Sequence, residues 1–421
     1  MNTYIKSIFS TAALQVLSKL IVLISGVLFA RILGADQYGQ YGLVLSIVTL
    51  LTLPIASGLP ILLIREISQF RVKNELGYIL GIIKCSKLYV LIVSGVVTLF
   101  FFISLNLGFF DDYISSLLPL ALLLVPLRGL ISIDGAIING YERPGTAQLI
   151  SLLIVPLLAL IIVVVLLFIG FVITPYLLII TLIYSSILAV IIGFFTVRKS
   201  VNVNYALIKN YKVKSWGRAL LPFSIMAIIT TLNTEMASVV IGFIVDSSSV
   251  AYFKVAMQAM AVISLGLSSI NAVIMPKVSR YYKQGRVQDV QCLVTKSVRV
   301  NCISTIPVIL MLIFFGDDII LLLFGSQYVD AYPIMVILGF GQIVNVIMGS
   351  VGVLLNMTGN EKKVIKTLTV SLLVNVILIV SLTPILGAAG AAYGVSISMV
   401  IWNLMMSYDV YKYTGIHSYL R

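Results

Sequence analysis

"LLIVPLLALIIVVVLLFIG" (residues 152–170) carries no charge from end to end and, apart from one proline, one alanine and a terminal glycine, is built of large apolar side chains. A helix needs about 20 such residues to cross a hydrocarbon core about 30 Å thick. A membrane barrel would instead show ~10-residue segments of alternating polarity. Similar solid runs of Leu, Ile and Val recur along a chain of 421 residues that is 60% hydrophobic and only 10% charged. Soluble domains carry about 25% charged residues. The sequence therefore reads as an all-α integral membrane protein.

Twelve spans are expected, near 8–33, 41–64, 84–106, 113–138, 147–170, 175–197, 218–245, 250–275, 297–315, 332–356, 364–384 and 388–409. The first is read as a retained span, because its apolar stretch is too long for a signal peptide and runs into "FARILGADQYG" (29–39) without an A-x-A site. With the N-terminus cytoplasmic, an even count puts both termini there. Of the 28 basic residues, all but Lys19, Arg31, Arg128 and Lys254 then fall in cytoplasmic segments. Asp36, Asp111, Asp112, Asp246, Asp317, Asp318 and Asp330 fall on the opposite side. That is the positive-inside asymmetry. It accounts for the +13 net charge without a nucleic-acid partner.

The chain also repeats itself. Shifted by 212 residues, "QYGQYGLVLSIVTLLTLPIASGLPILLIREISQF" (37–70) overlies "SVAYFKVAMQAMAVISLGLSSINAVIMPKVSRYY" (249–282) without a gap. The expected domains are a six-helix lobe at 1–200, a basic cytoplasmic linker at 201–217 and a second six-helix lobe at 218–421. Trp216 is expected as an interface anchor. Halves with an even number of spans share one orientation, so the lobes are pseudo-symmetric about the membrane normal, with a substrate site expected between them.

Four charged residues stay inside spans: Lys19, Arg128, Asp134 and Glu235. Each costs roughly 2.5–3.5 kcal/mol at the bilayer centre if left facing lipid. They are expected to face protein or water. Lys254 and Arg31 lie about a turn from the outer boundary. Lys19, Arg128, Glu235 and Lys254 are the candidates for a substrate-binding cavity, and Glu235 and Asp134 for ion coupling. Under the repeat, Lys19 maps one turn before Glu235, so the two are expected on similar helix faces and able to pair in one conformation. Asp134 is open between packing beside Arg128 and a solvated helix end. Arg31 and Arg65 are open between boundary anchoring and ligand contact. Cations in such a cavity suit the oxygens of a phosphate. No Walker A motif is present, so a Na+ or H+ gradient is the expected energy source. The prolines of "TLPIASGLP" (52–60) mark a candidate bending point. Cys85, Cys292 and Cys302 have no metal-binding spacing, and His417, the only histidine, reads as a solvated tail residue. No metal, cofactor or catalytic histidine is expected.

"FARILGADQYGQYGLVLSIVTLL" (29–51) with "GLPILLIREIS" (58–68) resembles the N-terminal signature of the Wzx-type polysaccharide flippases of the multidrug/oligosaccharidyl-lipid/polysaccharide exporter superfamily. The pattern R-x-L-G-x-x-x-Y-G is met by Arg31, Leu33, Gly34, Tyr38 and Gly39. Asn233, Glu235 and Gly242 resemble the pattern N-x-D-x-x-x-x-G, with Glu in place of the commoner Asp and the glycine two residues farther on. Tyr252 supplies the aromatic that follows, and Lys254 stands where small residues are usual. The resemblance implies two six-helix lobes in a V and no enzymatic activity. It implies passage of an undecaprenyl-diphosphate-linked oligosaccharide from the cytoplasmic to the periplasmic leaflet of a bacterial inner membrane, for O-antigen or another surface polysaccharide. Membrane lipids and a polymerase with its chain-length partner would be its associates. A drug or cation exporter of the same superfamily and a membrane polysaccharide polymerase are the rival readings. A polymerase usually needs a sizeable external loop carrying catalytic groups; the outer loops expected here are short, and acidic patches such as "FFDDY" (109–113) lack basic partners.

Overall fold

The computed structural model describes residues 2–105, 112–201 and 210–420. Asp111, Lys209, Arg421 and the 202–209 part of the expected linker lie outside the described residues. What is described is nearly all helix: α1 (Asn2–Ala56), α2 (Leu59–Val72), α3 (Leu76–Leu105), α4 (Asp112–Ala121), α5 (Leu124–Gly140), α6 (Pro144–Gln148), a π-helical turn (Leu149–Leu153), α7 (Ile154–Phe168), α8 (Pro175–Val201), α9 (Val213–Ile244), α10 (Ser247–Lys283), α11 (Val287–Leu323), a 3₁₀ turn (Ser326–Tyr328), α12 (Ala331–Met348), α13 (Val351–Met357), α14 (Glu361–Leu386) and α15 (Ala388–Thr414). Among the described residues, ten helical stretches are long and apolar enough to cross a membrane. One of them, Ala13–Val72, is 60 residues long, about 90 Å at 1.5 Å per residue and far more than one crossing needs. It contains the expected spans at 8–33 and 41–64, less the first few residues of 8–33. α10 holds the expected span at 250–275 and is not among the ten.

The exterior explains the composition. On α3, Leu88, Leu91, Ile92, Val96, Leu99 and Ile103 are all exposed, and 88, 92, 96, 99 and 103 follow the spacing of one helix face. Phe168 is 88% exposed and Phe314 74%. Apolar stripes of that extent are stable only against hydrocarbon. Hydroxyls inside the helices bond back to carbonyls one turn earlier, as in Thr52 to Val48 (2.7 Å) and Thr181 to Leu177 (2.8 Å), so they need no water.

The chain forms two compact units, one of residues 1–25 and 44–231, the other of 26–43 and 232–421. In the first, α5 is central and packs against α2, α3 and α8. α1 stops at Ala56 and α2 begins at Leu59, so "TLPIASGLP" is a break in the helix. Pro60 sits in the first turn of α2, where a missing N–H leaves no bond unmade. Trp216 corrects one expectation. It is buried, and its indole N–H donates to Glu66 Oε2 (3.3 Å).

In the second unit, α15 packs on α14 and α12, and α10 on α11 and α12. Residues 26–43 join this unit as a clasp. Gly34 takes φ 76°, ψ 173°, a left-handed backbone that breaks α1 and that glycine adopts without strain. Arg31 donates through Nε to the carbonyl of Leu323 (2.7 Å) and through its second nitrogen to that of Leu322. It therefore caps the C-terminus of α11, where carbonyls lack partners and positive charge is favoured. Ala35 N–H donates to Gln327 Oε1 (3.3 Å), and the Tyr328 hydroxyl to Ala30 O (2.7 Å). Arg31→Met is expected to lower unit stability by about 1–2 kcal/mol, the worth of an exposed charge-assisted cap. Thermal unfolding of the purified protein would read it, and an unchanged midpoint would remove the cap from the account.

His417 departs from the solvated tail residue expected. The Gln291 side chain accepts from its backbone N–H (2.7 Å) and donates to its carbonyl (2.9 Å). The imidazole stacks on Tyr411 at 4.7 Å between ring centres. Ile416 and Ser418 beside it are fully buried.

Candidate functional site

Within the first unit the charged side chains of α5 diverge. Arg128 and Asp134 are six residues apart, so they point to different faces of the helix. Arg128 is half-buried and donates to Thr49 Oγ1 (2.9 Å) on α1. It lines two cavities. The larger, about 490 Å³, is bounded by α2, α5, α6, the π-helical turn, α7 and α8, and its polar lining includes Ser132, Asn139, Gln148, Ser151 and Ser186. The smaller, about 240 Å³, lies among Thr49, Thr52, Ser57, Arg128 and Thr231. Asp134 is 1% exposed and pairs with Lys87 Nζ on α3 at 3.1 Å. Lys87 also stands 5.4 Å from the ring centre of Phe194 on α8. Neither alternative left open for Asp134 holds. It packs away from Arg128 and is buried rather than solvated. Lys87, counted with the cytoplasmic loops, is inside a helix and is the counter-charge. Lys19 is exposed on α1, beside Ser18, whose hydroxyl donates to the carbonyl of Leu152 (2.8 Å).

Within the second unit, Glu235 Oε2 and Lys254 Nζ form an ion pair at 3.0 Å. Glu235 is 22% and Lys254 24% exposed, so neither is sealed within the unit. A part-buried pair is less costly to separate than a sealed one. The buried Asp134–Lys87 pair cannot be opened so cheaply, since a lone buried charge costs several kcal/mol, roughly 3–5. Two residues before Glu235, Asn233 accepts twice from Asn375 Nδ2 on α14, through its carbonyl and its Oδ1, both at 3.2 Å. That bond fixes the rotation of α9 about its axis and with it the direction of Glu235. Tyr38 is buried, and its hydroxyl accepts from Gln258 Nε2 (2.7 Å) on α10, one turn beyond Lys254. Among the described residues, no three His, Cys, Asp or Glu side chains gather as a metal site would require.

Sequence reasoning names Arg128, Asp134, Glu235 and Lys254 but misses the partners. Two signals point to them. Glu235 and Lys254 lie at nearly equal distances on either side of the tight turn between Ile244 and Ser247, which sets them at one height in a helical hairpin. Lys87 is flanked by "LYVLIV" (88–93), an apolar run that places it inside a helix.

Comparison with known proteins gives the chain its relatives. The Probable low-salt glycan biosynthesis flippase Agl15 of Haloferax volcanii is 24% identical over 208 residues, 48% of this chain and 43% of that protein. The Capsular polysaccharide biosynthesis protein CapF of Staphylococcus aureus is 24% identical over 192 residues, 46% of this chain and 48% of that protein. The match thus spans less than half the length of either curated relative. Among solved structures, an inward-facing multidrug resistance MATE family transporter of the MOP superfamily superposes with a TM-score of 0.76 at 13% identity, covering 94% of each chain. The lipid II flippase MurJ, in an inward closed conformation, superposes with a TM-score of 0.73 at 18% identity, covering 95% of this chain and 87% of that one. At those identities the likeness is one of fold. The sequence model of the family described as "Polysaccharide biosynthesis protein" matches residues 4–282, which include both the R-x-L-G-x-x-x-Y-G stretch and the Asn233–Glu235–Gly242 stretch. With about two thirds of its length so matched, the chain belongs to the polysaccharide biosynthesis protein family.

Proposed function

We propose that the chain is a flippase that carries an undecaprenyl-diphosphate-linked oligosaccharide across a bacterial inner membrane, from the cytoplasmic to the periplasmic leaflet, for synthesis of a surface polysaccharide such as O-antigen. In this reading α1 crosses twice about its break at Gly34, α10 adds a crossing, and the twelve crossings leave both termini cytoplasmic. Lys19, Arg128 and Lys254 are the cations proposed to meet the diphosphate during its passage. The observation that carries the reading is Arg128, a guanidinium set in an apolar helical unit and lining two of its cavities. A lipid-linked diphosphate suits such a group, since guanidinium forks match phosphate oxygens.

Glu235 and Asp134 are the groups proposed for Na+ or H+ coupling. A cation or proton on Glu235 frees Lys254 for a phosphate, and a phosphate on Lys254 frees Glu235 for a cation. Each ligand then favours the other by the same factor. A polymerase with a chain-length partner would consume the delivered unit.

Deletion of the gene tests the proposal. The surface polysaccharide should disappear and its lipid-linked repeat unit should accumulate on the cytoplasmic leaflet. Complementation with Arg128→Gln should restore little polymer, and the purified variant should bind pyrophosphate roughly tenfold more weakly, as loss of one charged hydrogen bond predicts. Repeat units found outside but unpolymerised would instead mark a polymerase. Export of lipophilic cations with the surface polymer unchanged would mark a drug transporter.

A further inference from the structure

The larger cavity of the first unit holds more than a binding site for charge. α5 lines it from Leu124 through Arg128, Ser132 and Gly135 to Asn139, positions that share one helix face. Arg128 and Asn139 are eleven residues apart, about 16 Å along the axis. The guanidinium stands toward one end and the amides of Asn139 and Gln148 toward the other. The wall opposite α5 is irregular. α6 gives way to the π-helical turn Leu149–Leu153, which contributes Ser151 and Leu152 to the lining, and Pro156 follows in α7. Single π turns inside α-helices are frequent at functional sites. Gln148 Oε1 is buried and has no hydrogen-bond partner among the described residues. A buried amide oxygen left unpaired is costly, so such groups are conspicuous where a ligand completes them.

We infer that this cavity is the saccharide subsite of the carrier. It takes the sugars nearest the diphosphate, with the phosphates at Arg128 and an uncharged sugar at Asn139 and Gln148. The inference rests on the proposed function and adds to it which part of the substrate this unit reads. Volume, polarity and charge agree. A cavity of about 490 Å³ falls in the range of roughly 300–1,000 Å³ typical of small-ligand sites. Its lining combines apolar surface from Pro60, Ile64 and Leu182 with hydroxyls and amides, which suits rings with CH faces and equatorial hydroxyls. A polyprenyl chain in the same space would leave the amides of Asn139 and Gln148 facing hydrocarbon. Apart from Arg128, no lining residue is charged, so the cavity offers no counter-ion to an acidic or amino sugar at the Asn139 end. Asn139 and Gln148 are then specificity-determining residues, and Arg128 the residue that orients the ligand.

Binding by the purified full-length chain in nanodiscs tests this, with three probes: undecaprenyl-diphosphate-linked chitobiose, undecaprenyl diphosphate, and inorganic pyrophosphate. The wild type should bind the sugar-bearing lipid at least tenfold more tightly than the sugar-free lipid. Gln148→Leu, and independently Asn139→Leu, should abolish most of that preference and leave affinity for pyrophosphate within twofold, which also shows that the variant is folded. A sugar preference intact in both variants would overturn the inference while leaving the flippase reading in place. So would an equal loss of affinity for both lipids, because the cavity would then hold the chain. A wild type that binds neither lipid would overturn the flippase reading and this inference together.

Discussion

Lys87→Met should lower the stability of the chain by about 3–5 kcal/mol, the cost of stranding a buried carboxylate without its counter-charge. Asp134 is 1% exposed, and Lys87 is the cation 3.1 Å from it. Methionine preserves the length and apolar stem of the lysine, so the loss is electrostatic and not steric. The reverse substitution should be milder. Asp134→Asn leaves a cation that is 27% exposed and lies 5.4 Å from the Phe194 ring centre. It can turn toward water or stay on the ring, where such contacts contribute about 0.5–1 kcal/mol at exposed sites. The double variant Lys87→Met/Asp134→Leu removes both charges and should recover most of what Lys87→Met loses, because apolar pairs of similar volume replace buried ion pairs at little cost. Unfolding of purified protein in detergent, run as a double-mutant cycle, measures all three. A Lys87→Met protein as stable as the wild type would mean that Asp134 is not ionised in the folded chain.

The fold was largely open to reading because one solvent dictates it. A chain that is 60% hydrophobic and divided into runs of about 20 residues has few alternatives to membrane helices. Loop charge carried further information, because the expected topology collects the positive residues on one side. The site was legible only where chemistry is rare in its surroundings. Arg128, Asp134 and Glu235 stand out as ionised groups in apolar helices. Lys87 does not, because it follows Lys84 at a helix end and reads as one more loop cation. Its role depends on the packing of α3 against α5. Asn139 and Gln148 are less visible still. Uncharged amides near helix ends are common, and only the cavity that joins them separates these two from the rest. The breaks in the helices follow the same division. "TLPIASGLP" announces itself through its prolines, and the break at Gly34 falls just past 33, where the first expected span ends, although the backbone angle that makes it is carried only as one more glycine. Arg31 could be read as a boundary anchor or a ligand contact. It serves α11, nearly 300 residues away in the chain, and no periodicity connects the two.

Gly39→Ala should cost about 3 kcal/mol, the upper end for one methyl group forced into a packed site. A Cβ at Gly39 would overlap the carbonyl oxygen of Ser247 and come within 3.3 Å of the backbone nitrogen of Ala251. Both are main-chain atoms of the first turn of α10, so no side-chain rotation relieves the clash. That turn is also pinned, because Asp246 Oδ1 accepts from Ser249 N–H (2.6 Å) as the N-cap, a bond whose loss alone costs about 1 kcal/mol. The strain must therefore open the contact between residues 26–43 and α10, or unseat the cap. Neighbouring interactions raise the penalty, since Tyr38, next in the chain, bonds Gln258 on the same helix. Gly95→Ala supplies the control. Nothing lies within 4 Å of its added Cβ and it sits within α3, so alanine there should stabilise by about 0.4–1 kcal/mol through the unfolded chain and helix propensity. Opposite signs for the same chemical change, read from the two unfolding midpoints, would show that residues 26–43 are held by close backbone contact with α10. A Gly39→Ala protein that melts with the wild type would show that this contact is loose, and the "RILGADQYG" stretch (31–39) would then need some other reason for its glycines.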